Sequence, residues 1–138
     1  MEKDSKKVVQ QWFDSYNQKD RDAYAEVIAD DILVHGVNQD IQGFEGVMEA
    51  TFSFDTFPDA KYIKHDEVAE GNKVANRSTF VGTHEGEYRG IEPTGKKVEV
   101  PVMSIVRIEG GKIVEEWSVI DRLELMQQLG VVDLLSDD

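Results

Sequence analysis

Residues 110–130 read GGKIVEEWSVIDRLELMQQLG, and the fold turns on how this stretch is parsed. Two glycines mark a tight turn, an alternating run ends on a carboxylate, and a short amphipathic segment follows. In an extended strand Ile113, Glu115, Trp117, Val119 and Asp121 share one side. That side is apolar apart from two acids, and Asp121 closes it where strand gives way to helix. A carboxylate beside an indole on an apolar face has two readings: the cap of the following helix, or a working acid/base. Both stay open on position alone.

A two-residue turn at Gly110 and Gly111 sets Glu109 against Lys112, and the register of the hairpin follows by counting. Ile108 then faces Ile113, Val106 faces Glu115, Ser104 faces Trp117, Val102 faces Val119, and Val100 faces Asp121. The opposite face carries Pro101, Met103, Ile105 and Arg107 against Ile120, Ser118, Glu116 and Val114, and its apolar members suit a dimer contact. A carboxyl desolvated by Trp117 and the valines is pushed from ~4 toward neutrality, where it can both take and return a proton. Such a group suits proton abstraction next to a carbonyl, aldol chemistry or epoxide opening.

Upstream, Val8, Val9, Trp12, Phe13 and Tyr16 recur at helical spacing over 5–18, with Ser5 or Asp4 as cap. A second helix starts after Asp20, turns Tyr24, Val27 and Ile28 inward, and stops near Asp30 and Asp31. Residues 32–35 read as a first strand, 38–43 as a loop, and 44–54 as a third helix ended by Phe57 and Pro58. The rest is sheet until Asp121: strands over 61–69, 73–83, 98–108 and 113–120, with a hairpin at Gly71 and Asn72 and a bulge or bend at Gly82. Residues 84–96 are a glycine-rich loop with a possible flap role. Leu123, Leu125, Met126 and Leu129 form the face of a terminal helix that Gly130 closes, and the tail at 136–138 frays. Helices first and antiparallel strands after give an α+β fold in one domain over 1–138: a curved sheet with helices across its concave side and a cavity between.

The totals exclude several functions. A formal net charge of −13 argues against nucleic acid and against anionic membranes, because phosphate binding needs clustered Lys and Arg. There is no cysteine, so disulfides and thiolate chemistry are excluded, and the three histidines show no metal-ligand spacing, so no structural zinc site is expected. The N-terminus lacks an apolar h-region and no stretch approaches membrane-spanning length, which makes the cytoplasm the expected compartment.

Other polar residues each carry two readings. His84 stands at a strand end, where a side chain reaches a cavity mouth or a surface loop. His35 alternates inward as a ligand contact or a satisfied core histidine, whereas His65 reads as solvent-exposed. Arg77, mid-strand, needs a carboxylate partner and serves as a structural ion pair or a substrate anchor. Trp117 and Tyr16 are core residues or ligand contacts.

Several stretches together resemble one known family: residues 8–16 with Asp20, VGTHEG at 81–86, PTGK at 93–96, and RIEGGKIVEEW at 107–117 running on to Asp121 and to QQLG at 127–130. In that order they are similar to the SnoaL-like polyketide cyclases and ester cyclases, over nearly the whole chain. The resemblance implies a conical α+β barrel of the nuclear transport factor two type, dimeric, with a pocket inside the cone. It implies intramolecular aldol cyclisation of polyketide esters without cofactor or metal. It places the acid/base on Asp121, the histidine of the GTHxG element on His84, and a further histidine on His35. Antibiotic-pathway members carry a histidine three residues before the arginine that precedes the turn; here Ser104 stands there.

The expectation is therefore a cofactor-free enzyme acting on a small hydrophobic, carbonyl-bearing substrate. Asp121 removes and returns the proton, and His84 or His35 hydrogen-bonds the enolate. Trp117 and Val119 form the dry wall, Ser104 makes a polar contact, and Arg77 and Tyr16 complete the lining. The alternatives are a non-catalytic module that holds a small ligand in the same pocket, or another lyase, isomerase or hydrolase reaction on the same scaffold.

Overall fold

Four helices and six strands make up a computed structural model that describes residues 2–36 and 40–132. In chain order they are α1 (Glu2–Asn17), α2 (Arg21–Glu26), β1 (Ile28–His35), β2 (Asp40–Gln42), α3 (Phe44–Thr51), β3 (Lys61–Glu70), β4 (Lys73–Thr83), β5 (Lys97–Glu109), β6 (Lys112–Ile120) and α4 (Arg122–Leu129). The strands form one sheet in the order β2-β1-β6-β5-β4-β3. β1 runs parallel to β6, and every other neighbouring pair is antiparallel. This is the expected α+β arrangement of helices across a curled sheet.

The helices follow local rules. Val9 and Phe13, four apart, are both buried on α1. Ser5, read as a cap, lies instead inside α1 and is buried. Asp20 caps α2 by accepting from the Ala23 N–H at 3.1 Å. That helix stops at Glu26, short of Asp30 and Asp31, because the next residues are drawn into the sheet. The Ile113 N–H donates to the Val27 carbonyl at 2.7 Å, and Ile28 pairs with Ile113. An irregularity between Ile28 and Leu33 leaves Asp30 and Asp31 exposed while Ile32 is buried. Part of the segment read as a loop forms the edge strand β2; residues 38 and 39 of it, and the tail at 136–138, lie outside the described residues.

The core lies between helices and concave face. One buried cluster joins Val9, Phe13 and Tyr24 to Val74, Val106 and Ile113; a second joins Phe80, Val98 and Val100 to Leu125 and Leu129 of α4. Gly82 hosts no bulge, since β4 and β5 pair without interruption to Thr83 and Lys97. Its missing Cβ instead admits Phe57, whose Cβ lies 3.1 Å from where that atom would stand.

One feature of β6 reorients everything after it. The turn at Gly110 and Gly111 is the expected two-residue loop, and Ile108 faces Ile113 as counted. Arg107 then faces Glu115, so Val114 is an extra, unopposed residue: a β-bulge. Beyond it Val106 faces Glu116, Ser104 faces Ser118, and Val102 faces Ile120. The bulge shifts parity by one and exchanges the two faces of the strand. Glu116, Ser118 and Ile120 join the concave face, while Glu115, Trp117 and Val119 turn outward with Arg107, Ile105 and Met103.

Candidate active site in the concave cavity

The helices and the curled sheet enclose a cavity of ≈ 320 Å³. α1 contributes Trp12 and Tyr16, α2 contributes Tyr24, and Tyr62 of β3 stands beside them. The sheet supplies a polar strip in an otherwise apolar floor: Asn76, Ser78, Ser104, Ser118 and Glu116. Asn76, Ser104 and Ser118 occupy one level across β4, β5 and β6, as the pairing shows.

Glu116 is the carboxyl of this space. Its Oε2 accepts from Ser118 Oγ at 2.5 Å. Burial pushes its pKa up from the ordinary carboxylate value, and the Ser118 hydrogen bond opposes the shift only in part. The aromatic side chains answer the same environment. Burial pushes the Tyr16 phenol up to about 12. Tyr24 is raised by burial first and then by the Glu116 charge, while its hydroxyl accepts from Trp12 Nε1 at 2.9 Å. Tyr62 is raised by burial and then by Tyr16, Glu116 and Tyr24. At neutral pH these phenols stay protonated, and a carboxyl displaced toward neutrality stands among them. A group of that kind can exchange a proton with a bound molecule.

Asp121 does not line this cavity. Its side chain is exposed and caps α4 by accepting from the Glu124 N–H at 3.0 Å. The bulge is the cause: with parity shifted, β6 ends at Ile120 facing inward, and the next residue turns away into the helix. Of the two readings of this residue, the geometry is that of the cap.

His84 also stands apart from the cavity. It is 0 % exposed, its ring packs against Phe57 with centroids 5.8 Å apart, and Nδ1 accepts from the Thr94 N–H at 3.1 Å. Together with the Glu85 and Gly86 N–H groups, which donate to the Thr56 carbonyl, it pins the 84–96 loop rather than leaving it free as a flap. Gly86 is required there, since a Cβ would lie 2.1 Å from the Asp55 carbonyl oxygen.

Four more of the expected residues face outward. His35 Nε2 lies 2.7 Å from Glu115 Oε2, and its ring stacks on Trp117 at 5.3 Å and 9°. The hydrogen bond from His35, aided by Arg107, holds the Glu115 carboxyl below its ordinary range. Val119 is 64 % exposed on the same face. Arg77 pairs with Asp66 at 2.9 and 2.6 Å, a surface ion pair and no part of the interior. His65 is exposed as expected and meets Thr79 Oγ1 at 2.7 Å. Of the named set, Tyr16, Ser104 and Val119 are among the residues that line the cavity, Val119 with most of its side chain exposed. Glu116, Ser118, Asn76 and Tyr24 were not singled out. One signal was available for the first: consecutive acids on a strand place one on each face in any register, so either Glu115 or Glu116 had to point inward.

Among the described residues no three His, Cys, Asp or Glu side chains cluster as metal ligands, and no helix is long and apolar enough to cross a membrane.

The SnoaL-like polyketide cyclase family model matches residues 6–129. Among solved structures, the chain is similar to IdmH, a candidate polyketide cyclase from Streptomyces antibioticus, at 28% identity and TM-score 0.81, covering 92% of this chain and 99% of that one. It is similar to AclR, a candidate hydroxylase from Streptomyces galilaeus, at 26% identity and TM-score 0.84, covering 99% and 91%. It is likewise similar to TsrD from Streptomyces laurentii, at 25% identity and TM-score 0.85, covering 96% and 98%. No curated protein sequence matches the chain.

Proposed function

Because this chain belongs to the SnoaL-like polyketide cyclase family, we propose that it is a cofactor-independent cyclase acting on a small hydrophobic, carbonyl-bearing substrate. One observation carries the reading: a carboxyl raised by burial, Glu116, lines the aromatic cavity. Glu116 in its ionised form takes a proton from a carbon next to a carbonyl. The C–H bond breaks, its electron pair moves onto the carbonyl oxygen as an enolate, and the enolate carbon attacks a second carbonyl of the same molecule. Glu116 returns the proton to the alkoxide that forms. Ser118 orients the carboxyl, and the protonated tyrosines are hydrogen-bond donors to developing oxyanions. The acid/base role thus passes from Asp121 to Glu116.

The outer face of the sheet supports a second copy as partner. Met103 and Ile105 are 56 % and 43 % exposed, and they lie in an apolar groove that Trp117 and Val119 continue. We read this face as the contact of a homodimer.

Deuterium exchange at the carbon next to the carbonyl of α-tetralone, followed in heavy water, tests the catalytic reading. Glu116→Gln should slow exchange by roughly a hundredfold or more, and Asp121→Asn should leave it near wild type. Loss of exchange in Asp121→Asn with Glu116→Gln unaffected would restore the other carboxylate to the role. Binding without exchange in the wild-type protein would favour a non-catalytic module.

A further inference from the structure

We infer that the side-chain amide of Asn76 docks the substrate carbonyl, and that the cavity takes a compact ketone lying across the strands, its oxygen at Asn76 and its acidic carbon toward Glu116. This rests on the reading of Glu116 as the base but adds the residue that fixes the substrate's orientation and the size class it accepts.

Asn76 is 4 % exposed on the concave side of β4, between the buried Val74 and Ser78. Its Oδ1 accepts from Ser104 Oγ at 3.1 Å. Its Nδ2 is buried with no hydrogen-bond partner among the described residues. A buried amide N–H without an acceptor costs free energy, and native structures rarely leave one so. Asn76 lines the cavity, so a ligand oxygen is the acceptor the position calls for. The Ser104 hydroxyl, by donating to Oδ1, holds the amide with its N–H groups free for that oxygen.

The pairing supplies the orientation. Asn76 faces Ser104 and Ser104 faces Ser118, so the polar row crosses β4, β5 and β6 at one level. At the far end Ser118 donates to Glu116 Oε2. A donor thus stands at one end of the row and, at the other, the Ser118 hydroxyl that holds the Glu116 carboxyl; Asn76 and Ser118 lie two strand spacings, about 9–10 Å, apart at the backbone. When Glu116 takes the proton, the electron pair of the broken C–H bond moves onto the carbonyl oxygen, and the Asn76 N–H meets the negative charge that develops there. The space sets the size. A cavity of ≈ 320 Å³ holds about ten waters at roughly 30 Å³ each, room enough for a compact molecule of one or two fused rings.

The test compares three probes of one shape by calorimetry: α-tetralone, α-tetralol and tetralin. The wild-type protein should bind the ketone about tenfold more tightly than the hydrocarbon. Asn76→Leu should bind ketone and hydrocarbon alike while keeping its affinity for tetralin. The carbonyl stretch of bound ¹³C-labelled α-tetralone should lie lower in the wild-type protein than in the variant. Equal wild-type affinities for ketone and hydrocarbon overturn the inference without any variant, so it does not depend on Asn76→Leu folding. A preference for the alcohol overturns it too, since that would make Oδ1 the orphan atom and the site one for a hydroxyl donor. Binding of none of the three overturns the size class. A ketone preference that depends on Asn76 without deuterium exchange would leave the docking group standing and remove Glu116 as base; exchange that depends on Glu116 without a ketone preference would do the reverse.

Discussion

At the residue scale, two carboxylates five positions apart stand in opposite environments, one capping a helix at the surface and one raised by burial in the cavity. Asp121 accepts from the Glu124 N–H and holds the start of α4. Asp121→Ala should cost about 1 kcal/mol of stability, read as a lower urea midpoint, and leave proton exchange intact. Glu116 has the opposite signature. Its folded-state pKa is raised, so the stability it contributes is fully present below its ordinary value of 4.5 and is lost as pH rises through the folded value. Glu116→Gln should therefore raise the melting temperature at pH 7 to 8, with the difference closing below pH 4.5. Exchange by the wild-type protein should rise with pH over the window in which that stability falls, because the base is the ionised form. Melting curves across the range that show no difference between the two proteins would remove the desolvated carboxyl.

At the element scale the decisive object is the β5–β6 hairpin. Its turn was legible, because two adjacent glycines suit a two-residue loop in which both take positive φ, here 59° and 77°. The limits of β4 and the short final helix with Gly130 behind it were legible for the same kind of reason: alternation, helical spacing and a left-handed cap are local signals. The bulge at Val114 was not. Nothing in KIVEEW marks a valine as unopposed, and the shift is set by both neighbours, since β1 resumes its pairing at Leu33 and Glu115 just where β5 does at Arg107 and Glu115. One residue of slip was enough to carry Trp117, Val119 and Asp121 off the concave face. The early start of β1 escaped for a related reason, because Val27 and Ile28 satisfy a helical face and a strand equally until Ile113 is there to pair. His84 was legible as special but not as to its use: its partners lie in the loop ten residues on. That loop gives the element-scale prediction. Gly86→Ala forces a Cβ against the Asp55 carbonyl and should lower stability by roughly 1–3 kcal/mol in denaturant unfolding, through loss of the 84–96 anchor.

For the whole molecule, the curl of the sheet makes two unlike faces from the same strands. The concave face carries a polar row and one raised carboxyl under a roof of tyrosines and tryptophan. The convex face carries exposed Met103, Ile105 and Val119, flanked by the His35–Glu115–Arg107 group at one side and the Arg77–Asp66 pair on a neighbouring row. An apolar surface with charges at its borders is the pattern of a protein interface. Sedimentation should find a dimer for the native chain and a monomer for Ile105→Glu, whose substitution lies outside the cavity and should leave ketone binding in place. The net charge of −13 is poorly screened at low salt and repels a second copy, so dimer association should strengthen as ionic strength rises.

The account rests on which carboxyl faces the dry interior, and a site-resolved ¹³C titration of the side-chain carboxyls by NMR addresses that most directly. Glu116 should titrate above the ordinary glutamate value of 4.5, and Glu115, held by His35 and Arg107, below it. Glu116 titrating at or below 4.5 would mean that its carboxyl meets water or a cation, and would contradict the acid/base assignment.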